Sequence, residues 1–276
     1  MTYNKSLFKW AGGKGKALKH ILPILEKHKC KTLVEPFIGA ANISLNFDTD
    51  NYVWNDINQY LSNTYKLLLK GNEAQVDNYI EDCSNLFKRG YGDYYQIRDM
   101  FNNKQTSLYE KLVIFQYLNK MCFNGLFRTN KSGVFNVPVG TIKKNIPSVP
   151  IENIKLLSSR HGGNTKILCG DYESVFKRAK LSSDCLIYCD SPYAPLTTEF
   201  KYDAKSFNKE DHIKLKELAK ESKHTTVLSN HWTDFTKDLY KDADELYTFE
   251  VQRTISCKGG GRKKVEEVVA VYLGEN

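Results

Sequence analysis

The chain has no paired cysteine motif. Its seven cysteines are an odd number, none stands in a C-x-x-C pair, and its six histidines show neither H-x-x-x-H spacing nor clustering with cysteine. Those gaps argue against a zinc site and a disulfide framework, so reduced core thiols and no structural metal are expected, Cys185 and Cys189 sitting in or beside a buried strand. No apolar run approaches the roughly 20 residues of a membrane span. The start Met1-Thr2-Tyr3-Asn4-Lys5 lacks the apolar core of a secretion signal, and the protein is expected to stay in the compartment where it is made. A triphosphate loop is also missing: Gly15-Lys16 would need glycine where Trp10 stands and Ser or Thr where Ala17 stands. There are no internal repeats.

What is there is a chain of 276 residues, 41% hydrophobic and 26% charged, long enough for one large domain or for one domain carrying a smaller insert. Lys and Arg number 40 against 32 Asp and Glu, a formal charge of +8. An excess of that size fits a nucleic-acid partner. The basic residues gather at Lys9 to Lys19, Arg128 to Lys144 and Lys258 to Lys264, each group beside Gly, Asn or aromatic residues rather than on a plain helical face.

The stretch Cys189-Asp190-Ser191-Pro192-Tyr193 carries the most chemistry. It follows the apolar run Cys185-Leu186-Ile187-Tyr188, a short buried strand, so Asp190 arrives at a strand's C-terminal end, where open α/β sheets place their ligands. Pro192 stops the strand, leaving a ring beside an acid and a bend. Such a turn suits a flat ligand bearing an amino group: carboxylate and turn carbonyl accept the two amino hydrogens while Tyr193 stacks on the heterocycle. Accepting both hydrogens draws the conjugated lone pair of an exocyclic amine towards attack.

In chain order, Phe8 to Lys16 reads as a glycine turn opening a basic helix up to about Leu22. Lys31 to Val34 is a strand running into Glu35-Pro36-Phe37-Ile38-Gly39-Ala40-Ala41-Asn42, after which Ile43, Leu45 and Phe47 start a helix. A second strand, Tyr52 to Asn55, ends in Asp56, an acid placed to bind ribose hydroxyls. Apolar spacing is helical over 57–70, 74–89 and 108–122. Asn124-Gly125 and Ser132-Gly133 then frame a short hairpin ending at Phe135-Asn136-Val137-Pro138, on which Asn and Arg suit the reading of base edges. Residues 57–150 are read as an inserted recognition domain, between 1–56 and 151–276. Further strands are expected at 165–169, 225–228, 246–251 and 265–273, helices at 172–179, 206–222 (Ser206 as N-cap) and 233–240, and a basic loop at 253–264.

With these pieces in this order the chain resembles the Dam-type DNA adenine-N6 methyltransferases over nearly its whole length. The matching blocks are Phe8 to Lys14, Val34 to Gly39, Asn55 to Asn58, Tyr117-Leu118-Asn119, Asn124-Gly125-Leu126, Phe135 to Pro138, Tyr188-Cys189-Asp190, Pro192 to Leu196 and Ser229-Asn230-His231. The resemblance implies an α/β fold: a seven-stranded, Rossmann-like, S-adenosylmethionine-dependent methyltransferase sheet with an inserted, mainly helical target-recognition domain carrying a β-hairpin. It implies S-adenosylmethionine as cofactor and a flipped adenine in duplex DNA, typically in GATC, as substrate. Trp10, Lys14, Phe37, Gly39, Asp56, Asp171 and Asp190 are expected to line the cofactor pocket, and Asp190, Pro192 and Tyr193 to be catalytic. Lys9, Phe123, Asn124, Leu126, Arg128, Pro138, Lys143, Lys258 and Arg262 are expected on DNA. A monomer in the cytoplasm of a bacterium or phage-infected bacterial cell is implied, serving restriction-modification or phage evasion of host defence.

Two positions depart from the family pattern. Ser191 replaces the first proline of Asp-Pro-Pro-Tyr, which keeps a backbone carbonyl and loosens the turn; Ala41 replaces a glycine in the cofactor turn. Neither removes a catalytic group. Methylation of RNA or of cytosine, and a DNA-binding protein that masks sites without turnover, are the competing readings.

Overall fold

The computed structural model describes residues 3–179, 184–196, 207–252 and 264–274. Ser206, Lys258 and Arg262 lie outside them. The chain divides into two compact units. One comprises Lys14–Ile38, Asn46–Ile57 and Asn164–Asn276 and holds the sheet; the other comprises Met1–Gly13, Gly39–Leu45 and Asn58–Gly163 and is helical.

The sheet has seven strands. In chain order these are β1 (Thr32–Glu35), β2 (Asn51–Asp56), β3 (Thr165–Cys169), β4 (Cys185–Cys189), β5 (Thr226–His231), β6 (Glu245–Gln252) and β7 (Lys264–Tyr272). Their spatial order is β3-β2-β1-β4-β5-β7-β6. The first five are mutually parallel, and β7 runs antiparallel between β5 and β6. This is the α/β, Rossmann-like sheet expected.

Composition follows position. Every residue of β1 and of β4 is buried, as in central parallel strands, polar Thr32 and Glu35 of β1 included, whereas the edge strand β6 has no buried residue. Val34, Ile187, Leu228, Val268 and Ala270 form one apolar cluster with Val175 of helix α7 (Tyr172–Ala179) and Leu215 of α8 (Lys209–Lys220). Each of the valine, leucine and isoleucine side chains contributes about 1.5–3 kcal/mol on leaving water. Because β1 connects towards β2 on one side while β4 leads to β5 on the other, the order switches between β1 and β4. In open α/β sheets such a switch point, at the strands' carboxyl ends, is where ligands bind.

Several boundaries differ from the expectation. Helix α1 spans Leu18–Lys27 with Pro23 inside it, past the expected end at Leu22, because the buried stripe Leu18, Ile21, Ile24, Leu25 continues across the proline. Burying that stripe offsets the roughly 3 kcal/mol that an interior proline costs. The helix expected after Ala41 is only a 3₁₀ turn, Ser44–Asn46. The chain is pinned directly beyond it: the Phe47 carbonyl accepts the Tyr52 hydroxyl at 2.8 Å, and the Thr49 hydroxyl donates to the Cys30 carbonyl at 2.6 Å, leading into β2. Helix α8 starts later than expected, with Asn208 as N-cap: its side chain accepts the Asp211 N–H and the Asp211 carboxylate accepts the Asn208 N–H.

In the helical unit, α2 (Gln59–Lys70), α3 (Glu73–Lys88) and α4 (Tyr94–Asn102) pack on α5 (Leu108–Met121). Helix α5 is buried at every residue from Leu112 to Asn119, which marks it as the unit's central helix. Helices α4 and α6 (Ile151–His161) were not anticipated. The expected hairpin exists only as isolated antiparallel bridges, Cys122 with Val139 and Thr129 with Phe135. Side chains replace the missing ladder. Asn102 donates to the Phe135 carbonyl at 3.0 Å and accepts its N–H at 2.8 Å, the Tyr94 hydroxyl donates to the Val137 carbonyl at 2.8 Å, and Phe127 and Phe135 pack with Phe101 at 6.4 and 5.7 Å.

Candidate active site

Seven of the expected site residues stand in the sheet unit, at or just beyond the carboxyl ends of β1 to β4 and at the start of the α1 segment. Asp190 follows β4 directly and accepts the ammonium of Lys14 at 2.5 Å. Lys14 is only 4% exposed, while the Asp190 side chain keeps 21%. Burial raises the pKa of Asp190 above the ordinary carboxylate value, and the Lys14 charge works against that rise. The same ammonium lies 4.3 Å above the Tyr193 ring, a cation–π contact covering one face. The Tyr193 hydroxyl donates to Glu267 of β7 at 3.2 Å. Ser191 is buried, and Pro192 is exposed.

Beyond β1, the Phe37 ring stacks on Tyr172 at 5.2 Å. The Asn55 amide donates to the Pro36 and Gly170 carbonyls, each at 2.9 Å, tying together the ends of β1 and β3. Asp56 is buried to 9% exposure at the end of β2. Asp171 caps the first turn of α7, its carboxylate accepting the Glu173 N–H at 2.8 Å. Asn55 Oδ1 and the Tyr172 hydroxyl are buried with no hydrogen-bond partner among the described residues. Unmet polar atoms beside an aromatic stack and strand-end acids are what a polar, planar ligand would complete.

Trp10 and Gly39 belong to the helical unit. Gly39 has φ +46°, and a Cβ there would come within 2.9 Å of the Trp10 indole, so this turn needs glycine. Ala41 sits at φ 56° and is fully buried. Its substitution for glycine therefore strains the backbone by about 1–2 kcal/mol, with its methyl packed inside the protein.

The expected DNA-reading residues that are described gather around the C-terminal end of α5. The Asn119 side chain accepts the Lys9 N–H at 2.9 Å and donates to the Lys9 carbonyl at 2.7 Å. The Lys9 ammonium donates to the Lys120 carbonyl at 2.9 Å. Phe123 and Pro138 are exposed and joined by a 2.9 Å backbone bond. Asn124 and Gly125 both adopt positive φ, and Leu126 is half-buried. Arg128 is held across the hairpin, its Nε donating to Asn136 Oδ1 at 2.8 Å, and Lys143 is exposed and near enough to Lys9 to lower its pKa after burial.

A Cβ on Gly125, at φ +67°, would run into the Lys9 side chain and carbonyl. Gly125→Ala is expected to cost about 2–4 kcal/mol, combining left-handed strain with overpacking, as measured by urea denaturation. Lys120 was not anticipated. Its ammonium donates to the Leu7 carbonyl at 2.5 Å, and burial, followed by the nearby Lys9 charge, lowers its pKa to about 8. The unfolded chain then holds a proton there that the folded chain has released, so Lys120 makes stability rise with pH from about 8 to the unperturbed value near 10.5. The melting-temperature difference between wild type and Lys120→Met should shift across that window and stay level below it.

Sequence reasoning placed Asn119 and Asn230 in matching blocks without a role. The structure makes both of them clamps on site backbone, one on Lys9 and the other, described below, on Ala194. Among the described residues no group of His, Cys, Asp or Glu could hold a metal ion, and no helix is long and apolar enough to cross a membrane. The six described cysteines are free thiols.

Comparison with known proteins agrees with the geometry. The sequence model for D12 class N6 adenine-specific DNA methyltransferases matches residues 10–255. The chain is 37% identical over 282 residues to the DNA adenine methylase of Serratia marcescens, covering 99% of this chain and 100% of that protein. It is 38% identical over 281 residues to the DNA adenine methylase of Escherichia coli strain K12, covering 99% and 96%. With the DNA adenine methylase of Vibrio cholerae it shares 36% over 284 residues, covering 99% and 97%. The match spans the strand-end acids and the α5 turn alike, and the chain belongs to the D12 class of N6 adenine-specific DNA methyltransferases.

Proposed function

We propose that this chain takes the methyl group of S-adenosylmethionine and transfers it to N6 of an adenine flipped out of duplex DNA, within GATC. The observation that carries the reading is Asp190: an acid at the carboxyl end of β4, beside the switch between β1 and β4, paired with a buried ammonium. The residues fit the cofactor, since Asp56 offers a carboxylate to ribose hydroxyls, the Phe37–Tyr172 stack offers an aromatic surface, and Asn55 and Tyr172 offer unmet polar atoms. Asp171 and Lys14 complete the set. When bound, the cofactor supplies an electrophilic methyl on a sulfonium that carries its own leaving group.

The chain's own residues do the rest. Asp190 accepts one amino hydrogen of the adenine and the Ser191 carbonyl the other, which localises the lone pair on N6. Tyr193 stacks on the base, while Lys14 on its ring keeps the Asp190 carboxylate ionised. Burial makes that carboxylate more basic, suiting it to take the proton the methylated amine sheds. Holding amine and methyl in line supplies most of the acceleration.

Residues 57–150, which from Asn58 onward belong to the helical unit, are assigned to target recognition. Lys9, Asn124, Leu126, Arg128 and Pro138 face the base edges, Phe123 fills space in the opened duplex, and Lys143 meets phosphate, with Lys258 and Arg262 assigned to the same backbone. Arg128, whose Nε and Nη2 donate to the Asn136 side chain and carbonyl at 2.8 and 3.4 Å, exchanges Asn136 for bidentate contact with guanine on binding DNA. The chain acts as a monomer in the bacterial or phage-infected cytoplasm.

Labelled methyl transfer tests the reading. Label on adenine N6 of a GATC duplex, absent from a duplex with that site scrambled, is the expected result. Equal label on both would remove the site assignment and keep the chemistry; binding of the duplex without label would leave a masking protein.

A further inference from the structure

We infer that Asn230 and His231, the last two residues of β5, are positioning residues that hold the Asp190–Tyr193 turn in its reactive shape, doing the work that a proline at position 191 would otherwise do. The inference rests on the reading of Asp190 and Tyr193 as the adenine-holding pair.

Asn230 is fully buried and uses its whole carboxamide. Its Oδ1 accepts the Ala194 N–H at 2.8 Å and the His231 N–H at 2.9 Å. Its Nδ2 donates to the Tyr240 hydroxyl at 3.1 Å and faces His212 Nδ1 at 3.3 Å, so the nitrogen of that ring acts as acceptor. Burial depresses the His212 pKa to about 4, which keeps the ring neutral and its acceptor available. The amide orientation is thus fixed by two partners behind it, and the oxygen points at the turn.

His231 takes the other half of the same residue. Its Nδ1 lies 2.8 Å from the Ala194 carbonyl, which can only accept, so Nδ1 carries the proton. Its ring meets the Tyr193 ring edge-to-face at 4.7 Å. Ala194 therefore has its N–H and its carbonyl caught by consecutive residues of the neighbouring strand, directly after Tyr193. Ala194 itself is 1% exposed. The turn upstream carries Ser191, whose φ is not fixed by a ring, so its shape depends on what anchors its far end.

The test is kinetic and uses the full chain. Single-turnover methyl transfer to a GATC duplex is measured for wild type, Asp190→Ala, His231→Phe, His231→Asn, Asn230→Ala, and His231→Phe combined with Ser191→Pro. His231→Phe keeps a ring against Tyr193 and removes only the donor. It is expected to slow the step about tenfold, with KM for duplex within about twofold of wild type. His231→Asn, whose amide nitrogen can stand where Nδ1 stood, should recover most of the rate. Ser191→Pro in the His231→Phe background should do so as well, by stiffening the turn directly. Asn230→Ala should slow the step further and also unfold at lower temperature, which is why the histidine series carries the test.

A role in stability alone predicts a different pattern: activity per correctly folded molecule unchanged, and no rescue by proline. That pattern, or a wild-type rate in His231→Phe, would overturn the clamp while Asp190→Ala remained inactive. If Asp190→Ala itself kept the wild-type rate, the reading of the turn would fall first and the clamp with it.

Discussion

Asp190→Ala is expected to lower single-turnover methyl transfer by about 10³-fold, the scale for losing one preorganised electrostatic partner of a reacting group. The same change has a structural cost that the kinetics would hide. Lys14, 4% exposed, loses its carboxylate, and breaking a buried pair by removing one member destabilises by about 3–5 kcal/mol. Adding Lys14→Met to Asp190→Ala should therefore return much of the thermal stability and none of the activity. The pH profile separates the two roles again. As pH falls through the pKa of Asp190 the carboxylate gains a proton and stops accepting the amine, so the rate has an acid limb. Burial places that limb above the ordinary carboxylate range, and Lys14→Met, by removing the charge that opposes burial, should move it higher still. An acid limb that moves down in Lys14→Met would contradict this electrostatic account.

The second large effect lies in DNA affinity. Three phosphates neutralised by the exposed Lys131, Lys143 and Lys144 would give a log–log salt slope of about −3, a loss of about 40-fold between 50 and 200 mM salt. Replacing Lys143 and Lys144 by glutamine should flatten the slope by about 2, affecting GATC and scrambled duplexes alike. Arg128→Gln differs in kind. It should weaken GATC binding by about 1–3 kcal/mol and relax preference at one base. Fluorescence anisotropy over a salt series reads both, and a slope near zero for wild type would rule out phosphate-dominated binding.

How much of this was legible in the sequence depends on distance along the chain. The strands of the sheet could be read because Cys185 to Cys189 and Val268 to Leu273 are apolar runs bounded by clear breaks. The acid at the end of β4 followed from the same pattern. Helix α4 was missed because Tyr94 and Tyr95 among Asn and Lys resemble a recognition loop, and only packing of Tyr94 and Phe101 makes that stretch helical. The helix expected after Ala41 failed for the opposite reason: its apolar residues are buried, but the chain turns at once into β2. The Lys14–Asp190 pair joins residues far apart, and no local pattern of either segment announces it. The clamps at Asn119 and Asn230 were present as motif letters whose partners are backbone atoms, which sequence patterns do not encode.

The centre of the sheet also has a history in the making of the protein. β1 pairs with β4, and Thr32 meets Cys185 roughly 150 residues later in the chain. At bacterial synthesis rates of about 5–20 residues per second, β1 waits about 8–30 s for its partner to leave the ribosome. Throughout that interval one edge of a strand that ends up fully buried stays open, a ready template for pairing with another nascent chain. The residue proposed for the chemistry is delivered by the strand that ends the wait, so the catalytic centre and the closure of the sheet mature in the same event. Slowing translation before codon 185 should then lower the yield of native enzyme by lengthening the exposure, without changing a single side chain.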